Sequence, residues 1–290
     1  MSKFNQIRPQ ECDYTKVLDN IALVPKTLHY WGDLPEKRIK TVAIVGARRN
    51  TRYGEEVAYK MAYELAKHGV IVISGLAYGI DSVAHRGALD GGGITIGVLG
   101  TEIENIYPRQ HEVLARKMIA QGGAVISEYK KGDKFFPKTS FLQRNRIIAG
   151  LADVVVVVEA AERSGSLNTA MHALDQGKEL LAVPGDINRP LSAGCNALIK
   201  QGANPYTKIE DILDLLFPSH KKKKTEGQLL IFGDNEIETR ILQAMTKGLN
   251  DGEEIMAEAK IGTAEFSQTI TMLEIKGVVR GLGANKWALR

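Results

Sequence analysis

The sequence predicts an α/β chain: a Rossmann-like, doubly wound, mostly parallel sheet followed by a small C-terminal winged-helix domain. Three observations predict it. Apolar runs at 42–45, 70–73, 94–99, 124–127, 153–159 and 180–184 alternate with stretches of helical periodicity, the signature of βαβ units and a parallel sheet. The run DVVVVVE at 153–159 suits a central strand covered on both faces. Glycines, cations and small polar residues collect just after several of these runs, and ligands of such sheets lie at the carboxyl ends of the strands.

Residues 1–40 read as an N-terminal extension, interrupted by Pro9, Pro25 and Pro35, with a short strand and turn at 28–35 that leads into the sheet. The run 42–45 ends at Gly46. A helix follows over 53–68, because Val57, Ala58, Met61, Ala62, Leu65 and Ala66 share one stripe at helical period. Gly69 closes it. The run 70–73 opens into the loop Ser74-Gly75-Leu76-Ala77-Tyr78-Gly79. The next helix starts near Asp81, a suitable N-cap, and ends at Gly91-Gly92-Gly93. A helix over 110–120 joins the runs at 94–99 and 124–127. The loop 128–140 holds Lys130, Lys131, Lys134 and Lys138 with Phe135 and Phe136. A helix carrying Arg144-Asn145-Arg146 begins near Phe141. Past the valine strand, Arg163-Ser164-Gly165-Ser166 feeds a helix that ends at Gln176, and two short helices complete 194–216.

These elements give a Rossmann-like domain over 41–217, which binds single-stranded DNA on the reading developed below. Residues 218–235 are a linker with a lysine run at 221–224. Residues 236–290 form a winged-helix-like domain: helices at 237–246, 253–259 and 263–276, the third capped by Thr263, and then a hairpin. Such a third helix normally enters the major groove. Here it bears Glu265 and Glu274 against Lys276, a poor surface for duplex DNA, which favours a protein-contact or accessory role.

The formal charge is +4, and 41–217 carries 20 basic against 19 acidic residues. An anion site must therefore be a local cluster on a nearly neutral body. Cys12 and Cys195 lie far apart and form no CxxC, so neither a disulfide framework nor a zinc site is expected, and reduced thiols fit a cytoplasmic protein. The first residues lack an apolar signal-peptide core. No run approaches the ~20 apolar residues of a membrane span.

The stretch TVAIVGARRNTR at 41–52 carries the chemistry. A dinucleotide needs GxGxxG after the strand, but Gly46-Ala47-Arg48-Arg49-Asn50-Thr51 places cations where a pyrophosphate needs glycine. There is no GxxxxGK[ST] either, and the histidines show no metal-ligand spacing, so no cofactor and no metal are expected. The alternative function is a nucleotide- or phosphoribosyl-processing enzyme on a related Rossmann-like scaffold. The layout resembles the nucleotide phosphoribohydrolases of the lysine-decarboxylase-like family, whose PGGxGTxxE loop supplies a catalytic glutamate, and the corresponding stretch at 163–172, RSGSLNTAMH, has no carboxylate. Glu159 is expected to order a loop by hydrogen bonds. Asp81 and His85, four apart on a helix, are expected to touch. No catalytic residue is assigned.

A phosphate-backbone binder fits better. Arg48, Arg49 and Arg52 follow the first strand of the domain. Lys134, Lys138, Arg144 and Arg146, with Asn145, follow the fourth. Gly46, Gly75 and Gly165, beside Ser164 and Ser166, offer backbone N–H donors near helix N-termini. Phe141 offers a ring between Lys138 and Arg144. A cationic groove with aromatic platforms holds single strands without sequence readout.

The segments VAIVGARR, VISGLAYGIDSVAH, ITIGVLGTEIENIYP, FLQRNRIIAGLADVVVVVEA, RSGSLNTA and LLAVPGDI with LSAGCNALIKQGA resemble the DNA-processing protein A family, also called Smf. They cover about 41–217 in family order. The resemblance implies a non-enzymatic protein that binds single-stranded DNA cooperatively, dimerises, and loads the recombinase RecA onto incoming DNA during natural transformation. It also implies that Arg48 grips phosphate, that Lys138 contacts phosphate and that Phe141 stacks on a base. This sequence departs from the family at Ala47, where serine is usual, at Tyr78, where a cation is frequent, and at Asn168, where isoleucine is common. Its N-terminal region is also short.

Overall fold

The computed structural model describes residues 4–134, 136–218, 235–283 and 285–289. The lysine run at 221–224 lies outside them. The chain divides into two compact units, 1–218 and 219–290.

The first unit is built on a nine-stranded sheet. Its strands are β1 (Asn5–Ile7), β2 (Leu28–Gly32), β3 (Thr41–Val45), β4 (Ile71–Ser74), β5 (Thr95–Glu102), β6 (Ala124–Tyr129), β7 (Val154–Val157), β8 (Glu179–Ala182) and β9 (Asn204–Pro205). Their spatial order is β1-β2-β6-β5-β4-β3-β7-β8-β9. From β6 to β9 all neighbours are parallel; β1 and β2 add an antiparallel edge. The order reverses between β3 and β7, which pair from Val42–Val154 to Val45–Val157. That reversal opens a crevice at the carboxyl ends of these two strands.

The helices are α1 (Arg52–Lys67), α2 (Ile80–Asp90), α3 (Glu112–Ala120), α4 (Pro137–Leu151), α5 (Gly165–Asp175), α6 (Pro190–Lys200) and α7 (Glu210–Leu216). The valine strand shows why both faces of the sheet must be covered. Val155 and Val157 join the core with α4 and α5 residues such as Ile148 and Ala170. Val154 and Val156 join the opposite core, with Met61, Leu65, Ile80 and Ile212. Each such buried side chain contributes about 1.5–3 kcal/mol.

Residues 4–40 are wired into this unit. β2 pairs with β6. Tyr14 is fully buried, with its hydroxyl 3.2 Å from Thr41 Oγ1, and burial pushes its phenol up to about 12. Arg38 donates to Asp153 and to the Leu151 carbonyl, each at 2.9 Å. Asp153 in turn accepts the Thr41 N–H at 2.8 Å, so it stands just before β7 rather than inside it.

Several local expectations are corrected. The N-cap of α2 is Gly79, not Asp81. Gly79 has φ +77°, and a Cβ there would come under 3.0 Å from the Ala47 carbonyl oxygen, which accepts the Ile80 N–H at 3.2 Å. The chain must pass close to the loop after β3, and only glycine allows it. Asp81 instead turns back to the Gly75 N–H at 3.1 Å. It makes no hydrogen bond with His85, whose Nδ1 lies 2.7 Å from Thr95 Oγ1. Helix α4 begins four residues before Phe141, at Pro137, a residue suited to a first turn. In the second unit the cap of the third helix is Gly262, and Glu265 accepts the Gly262 N–H at 3.2 Å.

His85 is fully buried, and burial depresses its pKa from 6.5 to about 3. The unfolded chain therefore binds the extra proton first. Stability is expected to fall as pH drops from about 6.5 toward 3, by up to ~1.4 kcal/mol per pH unit from this group. His85→Gln should flatten that part of a urea-denaturation pH profile.

The second unit contains α8 (Glu236–Thr246), α9 (Gly252–Ala259), α10 (Thr263–Ile275) and the antiparallel pair β10 (Val279–Gly283) and β11 (Lys286–Leu289). This is the element order of a winged helix. Its core includes Ile241, Leu242, Ile255, Phe266, Ile270 and Leu273. The Phe266 ring meets Trp287 edge-on at 5.3 Å. Among the described residues no helix is long and apolar enough to cross a membrane, and no group of three His, Cys, Asp or Glu could hold a metal.

Candidate nucleic-acid interface

The crevice at the β3/β7 reversal encloses about 330 Å³. Gly46 and Arg48 form one wall, Phe141, Arg144 and Asn145 of α4 another, and Ser164, Gly165 and Ser166 a third. The third wall is the start of α5, whose dipole and terminal N–H groups favour an anion. A side chain at Gly165 would meet nothing within 4 Å, so the backbone is open there.

Arg48 is exposed, with its guanidinium carbon 5.8 Å from the centre of the Phe141 ring. Among the described residues no carboxylate lies in ion-pair distance of Arg48. The loop that carries it is anchored by Glu159, which is 5% exposed. Glu159 accepts the Thr51 N–H at 2.9 Å and the Thr51 hydroxyl at 2.5 Å; Thr51 caps α1 by accepting the Gly54 N–H at 3.2 Å. Glu159 thus orders a loop, as its position after the valines predicts. A Cβ at Gly54 would come under 3.0 Å from the Glu159 carboxylate. Gly54→Ala is expected to cost about 1–3 kcal/mol through overpacking, read as a lower urea midpoint.

Arg144 supports the crevice from beneath. It is 6% exposed. Its Nη1 donates to the carbonyls of Gly75, at 2.7 Å, and Val98. A Cβ on Gly75 would come under 3.0 Å from both Arg144 and Asp81, so glycine is needed where these two groups close around the loop. Burial pulls the Arg144 pKa down to about 10 and pushes that of Asp81 up, and the charge of each partner opposes both shifts.

Asn145 joins two walls. Its amide donates to the Gly165 carbonyl at 3.3 Å and to Asn168 Oδ1 at 3.1 Å, which gives the unusual Asn168 a role. Ser164 caps α5 by accepting the Ser166 N–H at 3.3 Å, and the two hydroxyls lie 2.7 Å apart.

Not every residue nominated from sequence meets here. Arg49 is exposed and does not line the crevice. Arg52 is exposed on the first turn of α1 and pairs with Glu56 at 2.9 Å. The side chain of Lys138 lies outside the described residues. Lys134 and Arg146 line a second cleft of about 650 Å³, so they stand apart from Arg48 and Arg144, which share the first crevice. Arg146 is 7% exposed and fully engaged: it donates to the Leu23 carbonyl at 2.8 Å, to the Gln143 carbonyl at 3.0 Å and to Glu128 at 2.7 Å. The reason is helical geometry, because residues two apart point about 200° from each other around the axis.

The structure also adds residues. Tyr107 packs on Phe141 at 5.4 Å and is 48% exposed; Tyr78, 41% exposed, meets His111 edge-on at 5.1 Å. Both line a small recess beside Arg48. In the sequence Tyr107 is marked only by its place in the loop after strand 94–99 and within the family-like segment ITIGVLGTEIENIYP.

Residues 5–217 match the family model for DNA recombination-mediator protein A. The chain is 46% identical over 192 residues to protein Smf of Escherichia coli, covering 66% of this chain and 51% of that one. It is 38% identical over 223 residues to DNA processing protein DprA of Bacillus subtilis, covering 77% and 74%. It therefore spans about half the length of the Escherichia coli relative. Among solved structures it is similar to DNA processing protein A of Streptococcus pneumoniae, with TM-score 0.66, 38% identity and coverage of 73% and 74%. It is likewise similar to that of Helicobacter pylori, with TM-score 0.65, 32% identity and coverage of 76% and 99%, a structure that describes a single-stranded DNA binding mode. With its crevice at the sheet reversal and a family match that runs from β1 past α7, this chain belongs to the DNA recombination-mediator protein A family.

Proposed function

We propose that this chain is a non-enzymatic, cytoplasmic mediator that binds single-stranded DNA in the β3/β7 crevice and loads RecA onto it during natural transformation, acting as a homodimer. One observation carries the DNA-binding reading. Arg48, with no described carboxylate in pairing distance, lines the same crevice as the open start of α5. A phosphate fits between a guanidinium and a helix N-terminus. Phe141 holds the Arg48 guanidinium by cation–π contact and offers ring surface to a base.

The nominated residues then divide by role. Arg48, Gly165, Ser164, Ser166 and Phe141 face the strand, Arg49, Arg52 and Lys134 add positive charge on the surrounding surface, and Lys138 keeps, from sequence alone, the phosphate contact that the family resemblance implies. Gly46, Gly75, Arg144 and Asn145 shape the walls. Asp81 lines the crevice but is held by the Gly75 N–H, which disfavours the nucleotide-processing alternative, since that chemistry needs a poised acid or base.

Competition binding at several salt concentrations tests this reading. Oligo-dT should displace labelled single strand far better than duplex of equal length. Equal displacement by duplex would reject it. RecA loading is tested separately, by whether the protein speeds RecA filament growth on strands coated with a single-strand-binding protein.

A further inference from the structure

The second cleft has twice the volume of the first and no part in the proposal above beyond Lys134. It lies between the N-terminal region and the loop after β6. Its lining includes Lys26, Lys130, Lys134 and Arg146 against two carboxylates, Glu128 and Asp133. Both carboxylates are already engaged. Glu128 accepts from Arg146 at 2.7 Å, and Asp133 accepts the Lys130 N–H at 2.9 Å. The three lysines are exposed, and among the described residues none is in an ion pair. The cleft therefore carries a surplus of positive charge.

Its apolar surface is equally unusual. Leu23 is 65% and Val24 38% exposed on the rim, and the half-buried Tyr129 lines the wall. His29, whose pKa is lowered by burial and by Lys130, adds a neutral ring at physiological pH. Cations beside ring and aliphatic faces suit a ligand that alternates phosphate with flat bases. The two clefts are also adjacent, since α4 is their common wall. Phe141, Arg144 and Asn145 line the first, and Gln143 and Arg146 line the second.

We infer that the second cleft is a continuation of the single-strand path. A strand gripped at Arg48 crosses the N-terminal half of α4 and enters the cleft between Lys26, Lys130 and Lys134. This rests on the proposed single-strand binding at the first crevice and lengthens its footprint. The N-terminal region, through Lys26 and the Leu23–Val24 rim, then becomes part of the DNA-binding surface.

The test compares the full chain with a Lys26→Gln/Lys130→Gln/Lys134→Gln variant and with Arg48→Ala. Fluorescence anisotropy is measured with oligo-dT of about 4 and about 16 nucleotides, a range spanning common single-strand site sizes. The triple variant should bind the short oligomer as the parent does. With the long oligomer it should lose affinity, and its log–log salt slope should shrink by about 2, near 0.7 for each of three phosphates. Arg48→Ala should weaken both lengths. If the triple variant matches the parent on both lengths while Arg48→Ala weakens both, the second cleft is no part of the path and the first-crevice reading stands. If Arg48→Ala also changes nothing, both fail. Equal weakening of both lengths by the triple variant would show general attraction rather than a second segment, and would equally overturn the inference.

Discussion

Arg144→Ala is expected to lower folding stability by about 3–5 kcal/mol, because it removes two buried hydrogen bonds from a charged donor and the cation whose charge offsets the burial of Asp81. The same change frees the Gly75 and Val98 carbonyls, which Arg144 now satisfies, and an unpaired buried acceptor carries its own cost. Urea denaturation of the parent and variant measures the loss directly. Arg144→Ala/Asp81→Ala should be less destabilised than the sum of its single changes, since neither charge is then stranded. A single-variant loss under ~1 kcal/mol would mean that the guanidinium is solvated in a way its 6% exposure does not suggest. The residue that reads in sequence as a DNA contact is on this view chiefly the floor beneath one.

Arg48→Glu is expected to show the largest binding effect. Losing one phosphate contact removes about 0.7 from the salt slope on single strands. Reversing the charge adds repulsion, and affinity for oligo-dT should fall at least about tenfold, ~1.4 kcal/mol. The loss should be alike for all sequences, because a guanidinium on phosphate reads no base. Since Arg48 is exposed, its urea midpoint should match the parent's. Retained affinity with normal folding would move the binding surface elsewhere. Phe141→Leu should give a smaller loss, about 1 kcal/mol, the low end of the range for a stacked base.

The sheet was largely legible because burial on both faces leaves a plain mark in sequence. The five valines at 154–158 could be little else, and the stripe from Ala58 to Ala66 is buried as its period predicts. Less legible were features decided by close approach. Gly79 caps α2 because the loop after β3 passes against it, a long-range contact that local cap preferences cannot register. Asp81 looks like a cap by type, yet it is drawn to the Gly75 N–H. The site was half legible. Cations placed after two strands must lie at one end of a parallel sheet, which brought Arg48 and Phe141 together correctly. Strand position does not say which way a helix turns its side chains, and so Arg144 and Arg146 looked equivalent. One became the floor of the first crevice, and the other a strut of the second, tied to Leu23 and Glu128. The first 40 residues carried too little periodicity to show that β2 would pair with β6 and bring Lys26 beside Lys130.

The most direct measurement of the central claim is photocrosslinking of halogenated oligo-dT to the full chain, with the attached peptides mapped by mass spectrometry. Crosslinks should fall on peptides containing Arg48, Phe141 and residues 164–166, and should disappear with excess unlabelled single strand. Crosslinks confined to 236–290, with none at the β3/β7 crevice, would contradict it.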